Sequence, residues 1–249
     1  MEKYIVLLFF LLMIAEIATS VITKDKRYNF KETIENIGTG MISLLFDHGF
    51  SLLSYPFLLW IYNHYKLFEW KESFSYFFFL FLFLDLIEYW FHRLSHVIPV
   101  MWTAHKVHHQ SKFFNLSVGL RTSVLIPFFN IGFYCLIPLA GFHPAHLLIF
   151  IFVQGIYQLF VHTEYIKKLG LLDLILVTPS VHRVHHGTNA EYLDKNFGKM
   201  LVLWDHLFGT FAPENEKVVY GATDSENEEG IINCQVQPFK KWWTKRFSG

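Results

Sequence analysis

Two stretches of this chain carry almost nothing that water would hold in place. From Tyr4 to Ile22 the only charge is Glu16, and from Phe74 to Phe91 the residues are nearly solid Phe and Leu until Asp85. At 1.5 Å per residue, about 20 apolar residues cross a bilayer core, so each run is long enough to span. Three more apolar runs follow: Ile37 to Tyr62, broken by Asp47, His48 and Gly49; Ser123 to Phe142; and Leu147 to Val161. Gly141-Phe142-His143-Pro144 joins the last two as a tight hairpin that need not cross fully. The first run also fits a cleaved signal peptide, with Ala18 and Ser20 as a small-residue site behind a weakly basic Glu2-Lys3. Polar residues Lys24 to Asn36 separate the first two runs, and from Thr178 onward the apolar runs stop. The sequence predicts an all-α integral membrane bundle of about four to five membrane helices under a helical cap.

Composition agrees with that layout. Hydrophobic residues make up 53% and charged residues only 17%, against about 25% charge in a soluble domain. Lys+Arg and Asp+Glu are equal at 21 each, which removes a global argument for nucleic-acid binding. Two cysteines, Cys135 and Cys234, are too few for a disulfide scaffold or a cysteine-rich zinc or iron–sulfur site. With five spans, segments 24–35, 92–122 and 163–249 share one side and hold 4, 4 and 10 Lys/Arg, against Lys3, Lys66 and Lys71 opposite. The positive-inside rule puts the richer side in the cytoplasm. That is the inner membrane in a bacterium or the endoplasmic reticulum in a eukaryote.

Fourteen histidines are the anomaly, and nine gather on the predicted cytoplasmic side. His92 and His96 form H-x3-H at the end of the third span, and His105, His108 and His109 form H-x2-H-H. His162 closes the fifth span, and His182, His185 and His186 repeat H-x2-H-H in the cap. Helical residues three or four apart share a face, so paired imidazoles reach one ion at about 2.0–2.1 Å. Thr178 as N-cap, Pro179 at the first helical position and Gly187 past the end delimit a two-turn helix. A specified three-histidine pattern is expected about 0.04 times in such a chain; this one has two. Nine ligands are too many for one ion, so the natural count is two metals. Imidazole suits Zn, Cu, Fe and Ni alike, but an all-nitrogen two-metal site at a bilayer surface best suits iron activating O2 against an unreactive C–H bond. The competing class is a non-catalytic metal carrier or sensor; a transporter would set histidines along the spans near the midplane, not at one face. His48, His64, His143, His146 and His206 take structural or solvent-facing roles.

Acidic residues beside the spans are costly and therefore informative. Asp85, Glu88, His92 and His96 stack on one helical stripe, where a carboxylate either fixes the tautomer of a ligating imidazole, completes the metal shell, or simply pairs with a cation such as Arg93. Glu164, two residues after His162, has the same standing. Asp85, Glu88 and Glu164 are thus the candidate catalytic carboxylates.

The motifs W-F-H-R-L-S-H (90–96), H-K-V-H-H (105–109), H-T-E (162–164) and T-P-S-V-H-R-V-H-H-G (178–187) resemble the fatty acid hydroxylase/sterol desaturase superfamily. N-L-S (115–117), D-K-N-F-G (194–198), W-D-H-L-F-G-T-F (204–211) and E-N-E-K-V-V-Y-G (214–221) are most similar to its alkylglycerol monooxygenase branch. The likeness covers about residues 81–222. It implies a membrane diiron oxygenase with His92, His96, His105, His108, His109, His162, His182, His185 and His186 as iron ligands. It also implies a lipid substrate, O2, and tetrahydrobiopterin as electron source; sterol or fatty-acyl hydroxylation or desaturation with a separate electron donor is the runner-up. Val97, Lys112-Phe113, Phe114 and Thr122 depart from the branch pattern, removing carboxylates near the metals. The expected organisation is 1–72 as N-terminal membrane helices and a polar loop, 73–222 as the catalytic domain and 223–249 as a tail.

Overall fold

The computed structural model describes residues 2–222, 225 and 228–247. Among them are helices and no strand; two isolated bridges pair Leu176 with Leu201 and Gly187 with Tyr220. Helices α1 (Glu2–Thr23), α2 (Phe30–Tyr65) and α3 (Phe74–Val97) are long and apolar enough to cross a bilayer. Their outer faces expose Leu7, Ile14, Leu44, Leu53, Phe74 and Phe78, a surface that lipid suits and water does not.

The second predicted run starts earlier than its apolar residues do. The side chain of Asn29 accepts from the Glu32 amide at 3.1 Å and so caps α2 seven residues before Ile37. That first stretch is polar because it faces the cap: Thr33, Glu35, Asn36 and Thr39 are all buried. Nor do Asp47, His48 and Gly49 break the helix, which also runs through Pro56. A long helix tolerates one lost hydrogen bond where neighbours re-satisfy the backbone.

The hairpin is built from shorter helices than α1–α3. The fourth run divides at Cys135 into α5 (Ile126–Tyr134) and α6 (Leu136–Leu139), and the fifth is α7 (Pro144–Phe160). Between them Gly141 adopts φ +85°, and a Cβ there would sit 2.0 Å from the carbonyl oxygen of Phe68. Only glycine fits. The 66–72 connection clasps this turn, with Leu67 N donating to Leu139 O and Trp70 Nε1 to Ala140 O. His143 caps α7, and His146 Nδ1 meets the Tyr76 hydroxyl at 2.9 Å, the structural roles expected of them. Leu58, Tyr76, Leu80, Leu84, Ile87, Ile137, Phe142 and Leu147 form the core these helices share.

Beyond α3 the chain turns into the cap: α4 (Pro99–His109), α8 (Pro179–His185), α9 (Leu203–Leu207) and α10 (Asn233–Phe247). The C-terminal segment is bound into it. Helix α10 packs along α4, and the buried Glu228 carboxylate receives Lys106 Nζ at 3.0 Å, Gln110 Nε2 at 2.8 Å and Lys241 Nζ at 2.9 Å. Gln110 in turn accepts from Arg121, whose own Nε donates to the Val107 carbonyl. The two flanks of the α4 histidines are therefore held by one hydrogen-bonded network.

A candidate two-metal centre

Four chain segments bring all nine histidines of the sequence motifs into one cluster. They fall into two groups, His92, His96, His105, His109 and His185 in one and His108, His162, His182 and His186 in the other. Within each group the candidate ligand atoms lie within 4.8 Å of one another. Helical geometry dictates the split. In α4, His105 and His109 are four apart and share a face, leaving His108 on the next face; in α8 and its cap, His182 and His186 pair while His185 turns away. Each H-x2-H-H box thus gives two rings to one group and one to the other. Helix α8 has the ends expected of it: the Thr178 hydroxyl accepts from Val181 N, and Pro179 opens the first turn.

Backbone carbonyls orient the rings. His92 Nδ1 donates to Phe197 O at 2.8 Å, His108 Nδ1 to Arg121 O at 2.8 Å, His162 Nδ1 to Gln158 O at 2.6 Å and His185 Nδ1 to Lys195 O at 3.0 Å. A carbonyl oxygen only accepts, so each Nδ1 carries the hydrogen and each neutral ring presents a bare Nε2 lone pair. These Nε2 atoms converge. His108 and His162 face each other at 3.2 Å, His182 meets His162 at 2.9 Å and His186 at 3.2 Å, and His92 and His109 meet His105 at 3.0 and 3.1 Å while His185 meets His109 at 3.1 Å.

The facing pair of His108 and His162 tests whether a metal belongs there. With both Nδ1 positions protonated, two lone pairs confront each other unless a cation stands between them. A proton is a poor candidate, because burial, the largest influence, pushes His108 down to about 4 and His162 well below the ordinary histidine value. Burial, reinforced by neighbouring imidazoles, likewise pushes His105, His109, His182, His185 and His186 well below it. A divalent metal with nitrogen ligands at about 2.1 Å sets neighbouring ligands about 3.0 Å apart at right angles, close to the separations found. His96 Nε2 and His182 Nδ1 are buried ring nitrogens with no hydrogen-bond partner, further lone-pair or N–H capacity inside the cluster. The residues fit two metal ions.

The three candidate carboxylates lie in neither group. Asp85 instead accepts from Met200 N, Leu201 N, Trp204 Nε1 and Gln154 Nε2 at 2.9–3.3 Å, so it docks the 199–204 loop onto α3. Glu88 accepts the Tyr134 hydroxyl proton at 2.5 Å and pairs with Lys199 at 3.3 Å rather than with Arg93. Glu164 pairs with Arg27 and accepts from Tyr220. Among the described residues, the carboxylate that does reach a cluster ring is Asp194, whose Oδ1 lies 3.5 Å from His96 Nδ1. Sequence reasoning missed it because tautomer-fixing acceptors were sought on the α3 stripe, whereas the 194–198 loop supplies them. The left-handed backbone of Asp194 and Asn196, at φ 56° and 57°, is what bends that loop over the rings. Asp85→Asn turns an amide toward the donors Asp85 now accepts; the expected result is a loss of about 2–3 kcal/mol, read as a lower Tm.

A model of the fatty acid hydroxylase family matches residues 77–210. The chain belongs to the fatty acid hydroxylase family. Among relatives of this family member, alkylglycerol monooxygenase from Homo sapiens is 39% identical over 240 residues, covering 95% of this chain and 53% of that protein. Alkylglycerol monooxygenase from Xenopus tropicalis is 36% identical over 232 residues, 92% of this chain and 51% of that protein. Ornithine lipid hydroxylase OlsE from Rhizobium tropici is 29% identical over 172 residues, 65% of this chain and 49% of that protein. The chain spans about half the length of the curated relatives it matches. No solved structure matches it. The family match contains all nine clustered histidines as well as Asp85, Glu88 and Asp194.

Proposed function

We propose that this chain is a membrane-bound diiron monooxygenase that hydroxylates a lipid and, on an alkylglycerol, opens the O-alkyl bond. The observation that carries the reading is the pair of convergent imidazole groups, five and four strong, in a chain similar to alkylglycerol monooxygenases over nearly its whole length. All nine histidines act as iron ligands in this reading, and Asp85, Glu88 and Glu164 serve by holding loops and neighbouring cations rather than by ligation. When bound, the irons supply activation of O2 for attack on a C–H bond. In this reading one oxygen atom of O2 would enter the carbon next to the ether oxygen and the other would leave as water, tetrahydrobiopterin supplying the two electrons. The hydroxylated carbon then releases the glycerol and becomes an aldehyde.

The protein's own contribution is positioning and exclusion of water. The carbonyls of Phe197, Arg121, Gln158 and Lys195 hold the rings with Nε2 free for metal, and burial keeps them neutral. The apolar helices α3, α5 and α7 bring the substrate chain from the bilayer to the cluster. The excess of Lys and Arg on segments 24–35, 92–122 and 163–249 supports a cluster at the cytoplasmic face.

Metal analysis of protein purified without added metal is the first test, with about two irons per chain expected. Turnover of an alkylglycerol, with and without tetrahydrobiopterin, is the second; aldehyde forms only with the pterin. Zinc in place of iron, or no aldehyde from the iron-loaded protein, overturns the proposal.

A further inference from the structure

One ion pair stands on the membrane side of the histidine cluster and takes no part in holding any ring. Glu88 lies one helical turn before His92 on α3, with its side chain only 5% exposed. Its Oε2 meets Lys199 Nζ at 3.3 Å, and its Oε1 accepts from the Tyr134 hydroxyl of α5 at 2.5 Å. The lysine side chain is 31% exposed, so space borders it. Its charge also acts on the cluster, lowering the proton affinity of His108 and His162 beyond what burial does.

The backbone that carries Lys199 is pinned on both sides. The Gln158 amide donates to the Lys199 carbonyl, and Gln158 uses its own carbonyl to hold His162 Nδ1. The next two amides, Met200 and Leu201, donate to Asp85. The backbone of Lys199 is therefore fixed relative to α3 and to the His162 ring, and the Glu88 pair holds its ammonium against α3, the support that a binding group needs. A charge-balancing role for Glu88 does not explain the choice of residue. An ammonium near groups built to hold metal cations opposes metal binding, and a neutral donor would satisfy Glu88 without that cost.

We infer that Lys199, Glu88 and Tyr134 form the site for the hydroxylated head of the lipid substrate. This inference rests on the alkylglycerol reading above. In an alkylglycerol the carbon to be oxidised is bonded to the ether oxygen, so the glycerol oxygens lie only a few bonds from the reacting carbon. Polar groups for them have to stand beside the histidine groups, at the border with the apolar interior. Lys199 offers N–H donors to the ether and hydroxyl oxygens, and Glu88 accepts from a hydroxyl. Tyr134 holds Glu88 in place. Such a triad selects for the head group, since a site built to hydrogen-bond a hydroxyl rejects an analogue that lacks it.

The test is equilibrium binding of two molecules with the same chain, 1-O-hexadecylglycerol and hexadecane, which has no oxygen, to the iron-loaded full chain kept free of oxygen. The unaltered protein is expected to favour the alkylglycerol by about tenfold or more. Lys199→Met lowers that ratio to about one while hexadecane binding changes by less than about twofold. The double variant Lys199→Met/Glu88→Gln, which leaves no unpaired charge, does the same and guards against misfolding of the single variant. A ratio that survives in both variants overturns the head-group site, as does an unaltered protein without preference. Iron content and aldehyde formation report on the oxygenase reading separately, so either can fail alone.

Discussion

His162→Ala/His182→Ala leaves a folded protein that carries about one metal ion per chain in place of about two. The reason is the division of the histidines. Both replaced rings belong to the group of four, and two donors remain there, while the group of five keeps every member. The matching variant His96→Ala/His185→Ala draws only from the larger group and leaves three donors, so its residual metal is held more weakly. Metal analysis after dialysis against a mild chelator measures both. Loss of all metal from the first variant, or of none, shows that the nine rings act as a single undivided set and removes the two-site description.

Arg183→Leu is expected to cost about 3–5 kcal/mol of stability, the largest single-residue effect argued for this fold. Arg183 sits between His182 and His185 on α8 and is buried. Its Nε and Nη2 form a two-pronged pair with Glu214 at 2.9 and 2.7 Å, and Nη1 donates to the carbonyls of Thr163 and Ile166. Removing the guanidinium strands a largely buried carboxylate and two carbonyl oxygens at once. Because α8 feeds both histidine groups, the variant also weakens metal retention in both. Arg183→Lys keeps the charge but not the fork and falls between. A Tm within a degree or two of the unaltered protein would contradict the assignment.

The sequence exposed the histidines because their spacing is local: three- and four-residue steps on a helix are readable without knowing the fold. The ends of α8 were legible for the same reason, since Thr178, Pro179 and Gly187 act within one turn. What the sequence hid is non-local. Asn29 and Glu32 do carry a local helix-start signal, but that the polar first turns of α2 face inward shows only once Asn36 and Glu35 are seen against Arg121. The carboxylates misled in an instructive way. Asp85 and Glu88 share a stripe with His92, but on a helix the stripe runs along the axis, and one turn for Glu88 or two for Asp85 is enough to move a side chain from the cluster to the 199–204 loop. Glu228 carried no signal at all. Only its contacts with Lys106, Gln110 and Lys241 mark it as interior.

Four of the nine rings take their orientation from main-chain oxygens, at Arg121, Gln158, Lys195 and Phe197. A main-chain oxygen survives any amino-acid replacement, so the tautomer of these rings is insulated from point mutation so long as the loops keep their course. Evolutionary drift at position 195 therefore has latitude that the imidazoles themselves lack. What must be preserved there is the path of the chain, not the identity of its side chains, and replacing an amide link by an ester, rather than alanine scanning, is the chemistry that would reach it.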